Sequence, residues 1–435
     1  MQVLVSLPEA EELLASGGLY HALFREICGV PLLTRVIATA HRSGGSNILV
    51  VYPNSLSKEL FEPSLDVLPI RVQYLEMERS LNPIRPVDWR VIESQLEERF
   101  LWLPWNYVTD RRTLAHLVER GRFSDKGARF GWPQQSDSST PAGSQQLQVI
   151  RKNSFFDATE EIVMPNAPGV AVTSTETAAD AERLLVRRSG KETDGIFSNF
   201  NRRLCRPLVR WLSKTPITPN LVTFTGLFVV LLSGYWYAQG YWSAYVLGGL
   251  FYFLSVLFDE MDGMLARLTF KDSAFGCWLE TVVDYASYVV VFVGMTVGLY
   301  RESGVIWLLQ GGLLLTGALL SFFVLGRQRK LATEPDKPNE YLIRIQRRFE
   351  TDSGNPLSRF ARLSEFVIRK AFLSHCIPIF SILGGLKVFF FISAFGSNLV
   401  WMLGLYFNRL FRHSGTAQSP RTVGILTAFG RNQGD

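Results

Sequence analysis

Residues 259–284 read DEMDGMLARLTFKDSAFGCWLETVVD, and they connect two of the long apolar segments of the chain. Asp259 and Asp262 are three residues apart, and Glu280 and Asp284 are four apart. Side chains at these spacings lie on one face of a helix. Ionisable residues at the ends of apolar spans are costly, so their presence indicates function. The stretch therefore predicts two helices whose ends bring four carboxylates together.

Four carboxylates in close proximity repel one another, and a bound cation removes that repulsion. Oxygen ligands favour Mg²⁺ or Mn²⁺. The predicted metal ligands are the four carboxylates, Asp259, Asp262, Glu280 and Asp284. Small residues on the same face, Gly263, Ala266 and Gly276, leave space for a ligand or a neighbouring helix. Each feature by itself favours a structural interpretation, as solvated helix ends or packing points, but together they indicate a site.

The 435 residues divide into two parts of different character. Long apolar runs are concentrated in 221–407, whereas the first half has the composition of a soluble protein. The formal net charge of +6 indicates basic loops that face anionic lipid or phosphate. No nucleic-acid partner is expected, because no basic block is interleaved with aromatic residues along one element. The four scattered cysteines form no C-x-x-C pair and are interpreted as reduced structural thiols.

Residues 1–185 alternate strand and helix patterns, which predicts a soluble α/β domain with a mostly parallel sheet. The expected strands cover 2–7, 47–52, 100–103 and 170–173. The expected helices cover 31–42 and 111–120. A segment rich in Ser, Gln and Pro, 134–148, is expected to form a surface loop.

Residues 186–219 form the predicted linker. Basic residues alternate with apolar ones between Arg202 and Lys214, which predicts an amphipathic helix on the membrane surface. The alternative is a solvated helix packed on the soluble domain. The membrane surface is preferred because a spanning segment follows within ten residues.

Six apolar segments follow within 220–410, and each is near the ~20 residues that cross a bilayer as a helix. They cover 221–238, 242–258, 277–299, 305–325, 371–386 and 388–407. Basic residues are dense before the first segment, between the fourth and fifth, and after the sixth. The positive-inside rule therefore predicts a multi-pass protein of the cytoplasmic membrane, with both termini, the soluble domain and the site on the cytoplasmic side. Residues 411–435 form a C-terminal tail.

The quoted stretch has the form D-x2-D-G-x2-A-R-x8-G-x3-E-x3-D, which resembles the signature of the CDP-alcohol phosphotransferase family at eight positions. Seven positions match, and Glu280 stands where the family has Asp. Pro219, Asn220 and Thr223 are similar to the start of the family's six-helix membrane domain. The junction from Lys191 to Arg202 resembles that of fused members, in which a cytidylyltransferase precedes an inositol-phosphate-diester synthase. The resemblance covers about residues 190–410.

The resemblance implies the chemistry of the site. The divalent ions bind the pyrophosphate of a CDP-alcohol as CMP leaves, and Asp284 is the base that takes the proton from the acceptor hydroxyl. The implied substrate-binding residues are Gly263, Ala266, Arg267, Gly276 and Asn220. A basic group at the end of the fourth segment binds an acceptor phosphate or, alternatively, anchors the helix at the membrane: Arg327, Arg329 and Lys330. A homodimer is also implied, together with a CDP-alcohol donor, an alcohol or alcohol-phosphate acceptor and the bilayer as partners.

The N-terminal domain resembles a nucleotidyltransferase in two short pieces, 29–33 and 102–106. The first strand is not followed by a Gly-rich phosphate loop, and Asn106 stands where a metal-binding Asp is expected. A nucleoside triphosphate would find neither a backbone cradle nor that metal ligand. We therefore expect a degenerate nucleotidyltransferase-like domain in front of an α-helical polytopic membrane domain with six transmembrane helices.

Two further classes of function compete with the enzyme. Glu280 carries the same charge as Asp on one extra methylene, so it either ligates by a different rotamer or misplaces a metal by about an ångström. Misplacement on this scale can lower a rate ~100-fold. A catalytically impaired membrane scaffold is therefore the alternative hypothesis. A transporter is disfavoured, because the later segments contain no second copy of the carboxylate pattern. The donor remains open between a CDP-polyol and CDP-diacylglycerol, and the acceptor between inositol, glycerol and their phosphates.

Overall fold

The computed structural model describes residues 1–15, 18, 22–66, 70–81, 86–97, 99–123, 148–151, 169–190, 195–332 and 370–413. The chain forms two compact units. The first unit consists of Met1–Phe224 and Leu257–Glu280, and the second of Thr225–Val256 and Thr281–Asp435. The helix ends that carry residues 259–280 therefore belong to the same unit as the N-terminal region. The boundaries at 185, 219 and 410 stay predictions.

The N-terminal region is built on a five-stranded sheet with the order β5-β4-β1-β6-β8. Its strands are β1 (Gln2–Ser6), β4 (Asn47–Pro53), β5 (Val72–Met77), β6 (Arg99–Pro104) and β8 (Gln148–Arg151). β1 pairs in parallel with β4 and with β6, and β4 pairs in parallel with β5, whereas β8 is antiparallel. The predicted mostly parallel sheet is confirmed. The central strands are continuous apolar runs, as is typical of parallel strands that are covered on both faces.

Helices and two small two-stranded antiparallel sheets complete this region. The helices are α1 (Ala10–Ala15), α2 (Leu32–Arg42), α3 (Glu62–Asp66), α4 (Pro86–Ile92), α5 (Arg111–Phe123) and α6 (Thr175–Arg188). The small sheets pair β2 (Glu26–Ile27) with β3 (Val30–Pro31), and β7 (Tyr107–Thr109) with β9 (Gly169–Ala171). Val3 and Val5 pack in one core on the large sheet, and Leu4 packs in a second.

Two strands of the large sheet, β5 and β8, were not predicted, and one predicted strand belongs to another sheet. β5 is an edge strand whose sequence, VQYLEM, is interrupted by Gln73 and Glu76, so it lacks the continuous apolar run that marks β1 and β4. The expected strand 170–173 exists as β9, but it pairs with β7 and not with the large sheet. Gln148, the last residue of the expected surface loop, begins β8, and the rest of that loop lies outside the described residues.

Long apolar helices follow the linker helix α7 (Ile196–Leu212). They are α8 (Pro219–Tyr237), α9 (Trp242–Thr269), α10 (Ala274–Ser303), α11 (Ile306–Ala332), α12 (Lys370–Ile382) and α13 (Leu386–His413). In the part of the chain that the structure describes, four helices are long and apolar enough to cross a membrane: Pro219–Tyr237, Trp242–Thr269, Ala274–Ser303 and Ile306–Val324. The predicted segments near the C-terminus are helical but shorter in their apolar stretches, Phe372–Ile382 and Leu386–Met402.

Inside the second unit, glycines permit close packing of α8 and α10. A Cβ on Gly294 would collide with the backbone of Gly234, and a Cβ on Gly298 would collide with the carbonyl of Tyr237. Small residues of this kind let membrane helices approach closely. The Tyr237 hydroxyl is also hydrogen-bonded to the Ser381 hydroxyl at 2.9 Å, which joins α8 to α12.

Candidate active site

The signature residues lie at the ends of two consecutive helices, as their spacing predicted. Asp259 and Asp262 fall in the last three turns of α9, which ends at Thr269. Glu280 falls in the second turn of α10, and Asp284 follows one turn later on the same helix. Only residues 270–273 separate the two helices. The short connection keeps the first carboxylate pair and Glu280 within one compact unit.

Asp262 is buried and bonded to a neighbouring helix. Its side chain is 4% exposed, and its Oδ2 accepts a hydrogen bond from the Thr223 hydroxyl at 2.5 Å. Thr223 is itself buried in the first turns of α8. A hydroxyl that donates to a carboxylate fixes its orientation. The sequence analysis singled out Thr223 only as part of the start of the membrane domain, together with Pro219 and Asn220. It did not predict the contact with Asp262.

The glycines of the signature leave space for particular neighbours. A Cβ on Gly276 would lie 3.1 Å from Oδ1 of Asn220, so these two predicted substrate-binding residues come together. A Cβ on Gly263 would lie 3.3 Å from Nη1 of Arg267, so the guanidinium lies over this glycine. Either substitution would require its neighbour to shift. The sequence predicted the need for small residues here, and the structure identifies which side chains use the space.

Arg267 contacts the linker that precedes α7. Its Nε donates to the carbonyl oxygen of Ser189 at 2.7 Å, directly after the end of α6. This contact joins the last turn of the signature helix to the N-terminal region, and it was not predicted.

Glu260, between the two signature aspartates, anchors helix α7. Its Oε2 pairs with Nη2 of Arg202 at 2.8 Å, and its Oε1 accepts from the Ser198 hydroxyl at 2.6 Å. Both partners of the ion pair are nearly inaccessible, so the pair is weakly screened by solvent. Arg202 is one of the basic residues of the pattern that predicted a membrane-surface helix, but its side chain turns inward to Glu260.

Helix α7 has one buried and one exposed face. Buried residues recur at helical spacing, namely Ser198, Asn201, Arg202, Cys205, Val209 and Leu212. The exposed face is an apolar stripe of Ile196, Phe200, Leu204, Leu208 and Trp211. The helix is therefore amphipathic, but its apolar side is the exposed one and much of its basic side is used in ion pairs.

A second buried carboxylate ties the end of α7 to α6. Glu182 is 4% exposed at its side chain and pairs with Nη2 of Arg210 at 2.8 Å and with Nζ of Lys214 at 2.9 Å. Burial by itself raises the pKa of Glu182, but hydrogen bonds from Lys214 and Arg210 outweigh it and leave the pKa below the ordinary value. These two basic residues of the predicted lipid-facing pattern therefore contribute to the fold.

Among the described residues, no three His, Cys, Asp or Glu side chains lie close enough together to hold a metal ion. The donor set is anionic oxygen, which is chemically suited to a hard divalent cation. The basic residues predicted to bind an acceptor phosphate, Arg327, Arg329 and Lys330, fall in the last two turns of α11.

The two pieces that resemble a nucleotidyltransferase have structural roles. Asn106 is buried, and its Nδ2 donates to the carbonyl of Val172 at 3.3 Å. Asp110 caps α5, because its Oδ1 accepts from the backbone N–H groups of Arg112 and Thr113 at 3.1 and 3.2 Å. Gly29, with φ +69°, packs so closely on Ser213 that a Cβ there would collide with the Ser213 carbonyl.

Comparison with known proteins finds a family that is similar to the segment containing these helix ends. Residues 216–343 match the family model described as CDP-alcohol phosphatidyltransferase. This match covers less than a third of the chain, and it makes the segment similar to the CDP-alcohol phosphatidyltransferase family. The match contains the whole signature of this family, from Asp259 to Asp284, and helices α8, α9 and α10.

Curated proteins of Pyrococcus horikoshii and Aquifex aeolicus are similar to part of the chain. The chain is 31% identical over 106 residues to an archaetidylinositol phosphate synthase of Pyrococcus horikoshii, which is 24% of this chain and 55% of that protein. It is 33% identical over 128 residues to an uncharacterized protein of Aquifex aeolicus, which is 29% of this chain and 58% of that protein. It is 30% identical over 115 residues to a bifunctional IPC transferase and DIPP synthase of Aquifex aeolicus, which is 26% of each chain. The chain thus spans little more than half the length of the first two.

Proposed function

We propose that this protein is a membrane-embedded transferase that moves a substituted phosphate group from a CDP-alcohol to an acceptor alcohol and releases CMP. The product would be a phospholipid or a polyol phosphodiester. The observation that carries the proposal is the buried Asp262, bonded to Thr223 within the segment that matches the family. Relatives named archaetidylinositol phosphate synthase support a product that contains an inositol phosphate.

The proposal assigns a divalent ion, Mg²⁺ or Mn²⁺, to the signature carboxylates Asp259, Asp262, Glu280 and Asp284. When bound, such an ion supplies neutralisation of the negative charge that develops on the departing CMP. These side chains do not form a group of three among the described residues, and the proposal therefore includes rotamer changes on binding. The long side chain of Glu280 has the rotamer freedom for this adjustment.

The chain's own residues bind the substrates and move the proton. Asp284 accepts the proton of the acceptor hydroxyl. Arg267, which lies over Gly263, donates to a phosphate oxygen of the donor. Thr223 keeps the Asp262 carboxylate oriented. Asn220 and Gly276 border the space for the donor.

The membrane arrangement is part of the proposal. We propose six spans with both termini and the site on the cytoplasmic side of the cytoplasmic membrane, because basic residues are concentrated in alternate connections. Cysteine labelling at Ser303 and Ser353 in intact cells tests it: an impermeant reagent should modify the first and spare the second. The homodimer implied by the family resemblance is a separate proposal, and the mass of the purified protein in detergent tests it.

The N-terminal region is proposed to lack nucleotide activation. Asn106 and Asp110 are engaged in structural hydrogen bonds, which supports this assignment. The full-length protein, given CTP and a phosphorylated alcohol, should release no pyrophosphate above the level without enzyme. Release with any polyol phosphate would refute the assignment and favour a bifunctional protein.

A catalytically impaired scaffold is the second candidate. Glu280 at the family's Asp position and the absence of a preformed group of three carboxylates among the described residues favour it. The deciding experiment incubates purified full-length protein and Mg²⁺ or Mn²⁺ with a panel of CDP-polyols and CDP-diacylglycerol, and follows CMP. The transferase releases CMP with at least one donor. A wild-type protein that releases none and binds no divalent ion is the scaffold.

A further inference from the structure

Two side chains from a helix of the N-terminal region bind the connection between the two signature helices. Residues 270–273 join α9, which carries Asp262, to α10, which carries Glu280. Arg35 and Arg42 lie seven residues apart in α2, which is about two helical turns and places them on one face. Both side chains reach the connection, and all of these residues belong to the same compact unit.

Arg35 fixes the end of α9. Its side chain is 2% exposed, and its Nη2 donates to the carbonyl oxygen of Leu268 at 2.7 Å. Its Nε donates to the carbonyl of Ile27 at 2.9 Å, which orients the guanidinium from the other side. Burial lowers the pKa of Arg35 to about 10, so the group stays protonated at neutral pH. A buried charge is tolerated only when acceptors surround it, so the Leu268 carbonyl is held firmly.

Arg42 fixes the middle of the connection. Its Nη2 donates to the carbonyl of Phe270 at 2.9 Å, and its Nη1 pairs with Oδ2 of Asp272 at 2.5 Å. Because Asp272 is half exposed, the ion pair by itself contributes little. The simultaneous contact with the carbonyl adds geometric specificity that a surface pair lacks.

Phe270 adopts a backbone conformation that needs such support. Its φ is +57°, a left-handed value that a side chain other than glycine seldom adopts. The Cζ atoms of Arg35 and Arg42 lie 5.1 and 4.9 Å from the centroid of its ring. Both distances are within the range of cation–π attraction. The two arginines thus stabilise both the backbone and the ring of the residue at the turn.

We infer that the N-terminal region serves as a positioning element for the CDP-alcohol site, with Arg35 and Arg42 as its positioning residues. By fixing residues 268–272 they set the path from α9 to α10, and hence the placement of Glu280 relative to Asp262. The inference rests on the proposed function for its catalytic consequence. It gives a role to a region in which the residues that resemble a nucleotide site make structural hydrogen bonds.

The test compares three full-length variants in detergent: Arg42→Met, Arg42→Lys and the control Arg183→Met. Arg183 forms an exposed ion pair with Asp180 in the same region, at 3.0 Å. Arg42→Met should lower kcat for CMP release by roughly 10- to 100-fold with little change in KM for the donor. The variant still binds the donor, but its signature carboxylates are no longer aligned for the reaction. Arg42→Lys should recover part of kcat, since its ammonium still reaches Asp272. The control should match wild type.

Amide hydrogen exchange of residues 268–276 supplies a readout that does not depend on turnover. Arg42→Met should raise exchange there by about tenfold, while other strands and helices keep their protection. If Arg42→Met does not fold, Phe270→Leu replaces it: this change removes the ring, keeps the carbonyl, and should alter kcat and exchange in the same direction by less.

The outcomes separate this inference from the proposed function. Unchanged kcat and unchanged exchange, with at most a lower melting temperature, would overturn the positioning role. A wild type that releases no CMP would refute the proposed function, and exchange would then decide the inference alone. In that case, raised exchange of residues 268–276 in Arg42→Met supports the positioning role of Arg42. Unchanged exchange in that variant overturns it.

Discussion

Asp110 and Asp262 lie in the same compact unit and carry the same side chain, but their carboxylates make different kinds of hydrogen bond. The Asp110 carboxylate accepts hydrogen bonds from residues two and three positions along its own chain, which is the pattern of a helix cap. Asp262 is buried at the end of an apolar helix and is bonded to a residue of another helix, 39 positions away. Helix formation accounts for the first acid. It does not account for the second, whose burial costs free energy unless a ligand or partner compensates.

The largest expected effect concerns the proposed base. Asp284→Asn keeps the size of the side chain and removes its ability to accept a proton, so CMP release should fall by at least about 100-fold. Binding of Mn²⁺ should persist, because Asp284 acts as the base and is not a principal ligand of the ion, in contrast to Asp262. Steady-state CMP release and equilibrium Mn²⁺ binding are measured on the same protein, with Asp180→Asn as an exposed control. Full turnover by the variant would remove Asp284 from the chemistry.

The next effect tests the bond that distinguishes Asp262 from Asp110. Thr223→Val preserves shape and removes the hydroxyl, and a hydrogen bond to a charged group is worth about 1.5–3 kcal/mol, so kcat/KM should fall at least tenfold. Thr223→Ser restores the donor and should recover most of the loss. Equal activities of the valine and serine variants would show that the hydroxyl does not orient the carboxylate.

A smaller effect is expected on stability, from a buried acid that serves the fold. Glu182→Gln removes the charge that pairs with Arg210 and Lys214, and because both partners are partly exposed the loss should be roughly 1–2 kcal/mol at neutral pH.

The pH dependence of that loss follows from the lowered pKa of Glu182. A carboxyl with a lowered pKa stabilises the fold fully above its unfolded value of about 4.5, and the contribution disappears as pH falls through the folded value. The free energies of unfolding of wild type and Glu182→Gln, measured by chemical denaturation, should therefore approach each other as pH falls below 4.5. A difference that persists or grows in acid would contradict the ion-pair assignment, and Glu176→Gln on the exposed side of α6 serves as control.

The smallest effect concerns the cap. Asp110→Ala should lower the free energy of unfolding by about 1 kcal/mol and leave CMP release unchanged. A loss of turnover with unchanged stability would give Asp110 a role in chemistry and erase the contrast with Asp262.

Sequence reasoning succeeded where local periodicity decides the structure. The central strands were predicted from their apolar runs. The spacings of three and four residues correctly predicted that the signature carboxylates lie on helices. It failed where contacts between distant residues decide. Arg202 looked like part of a basic face, yet it binds Glu260, 58 positions further along. The ion pair of Arg42 with Asp272 joins residues 230 positions apart, and no pattern within either segment predicts it.

Binding of Mn²⁺ to full-length protein in detergent, followed by electron paramagnetic resonance, tests the central claim most directly. Three proteins are compared: wild type, Asp262→Asn and Asp110→Asn. The account predicts saturable binding by wild type, similar binding by Asp110→Asn, and binding weakened at least tenfold in Asp262→Asn, because a negatively charged ligand is lost. Absence of saturable binding in wild type, or binding that survives Asp262→Asn and disappears in Asp110→Asn, would contradict it.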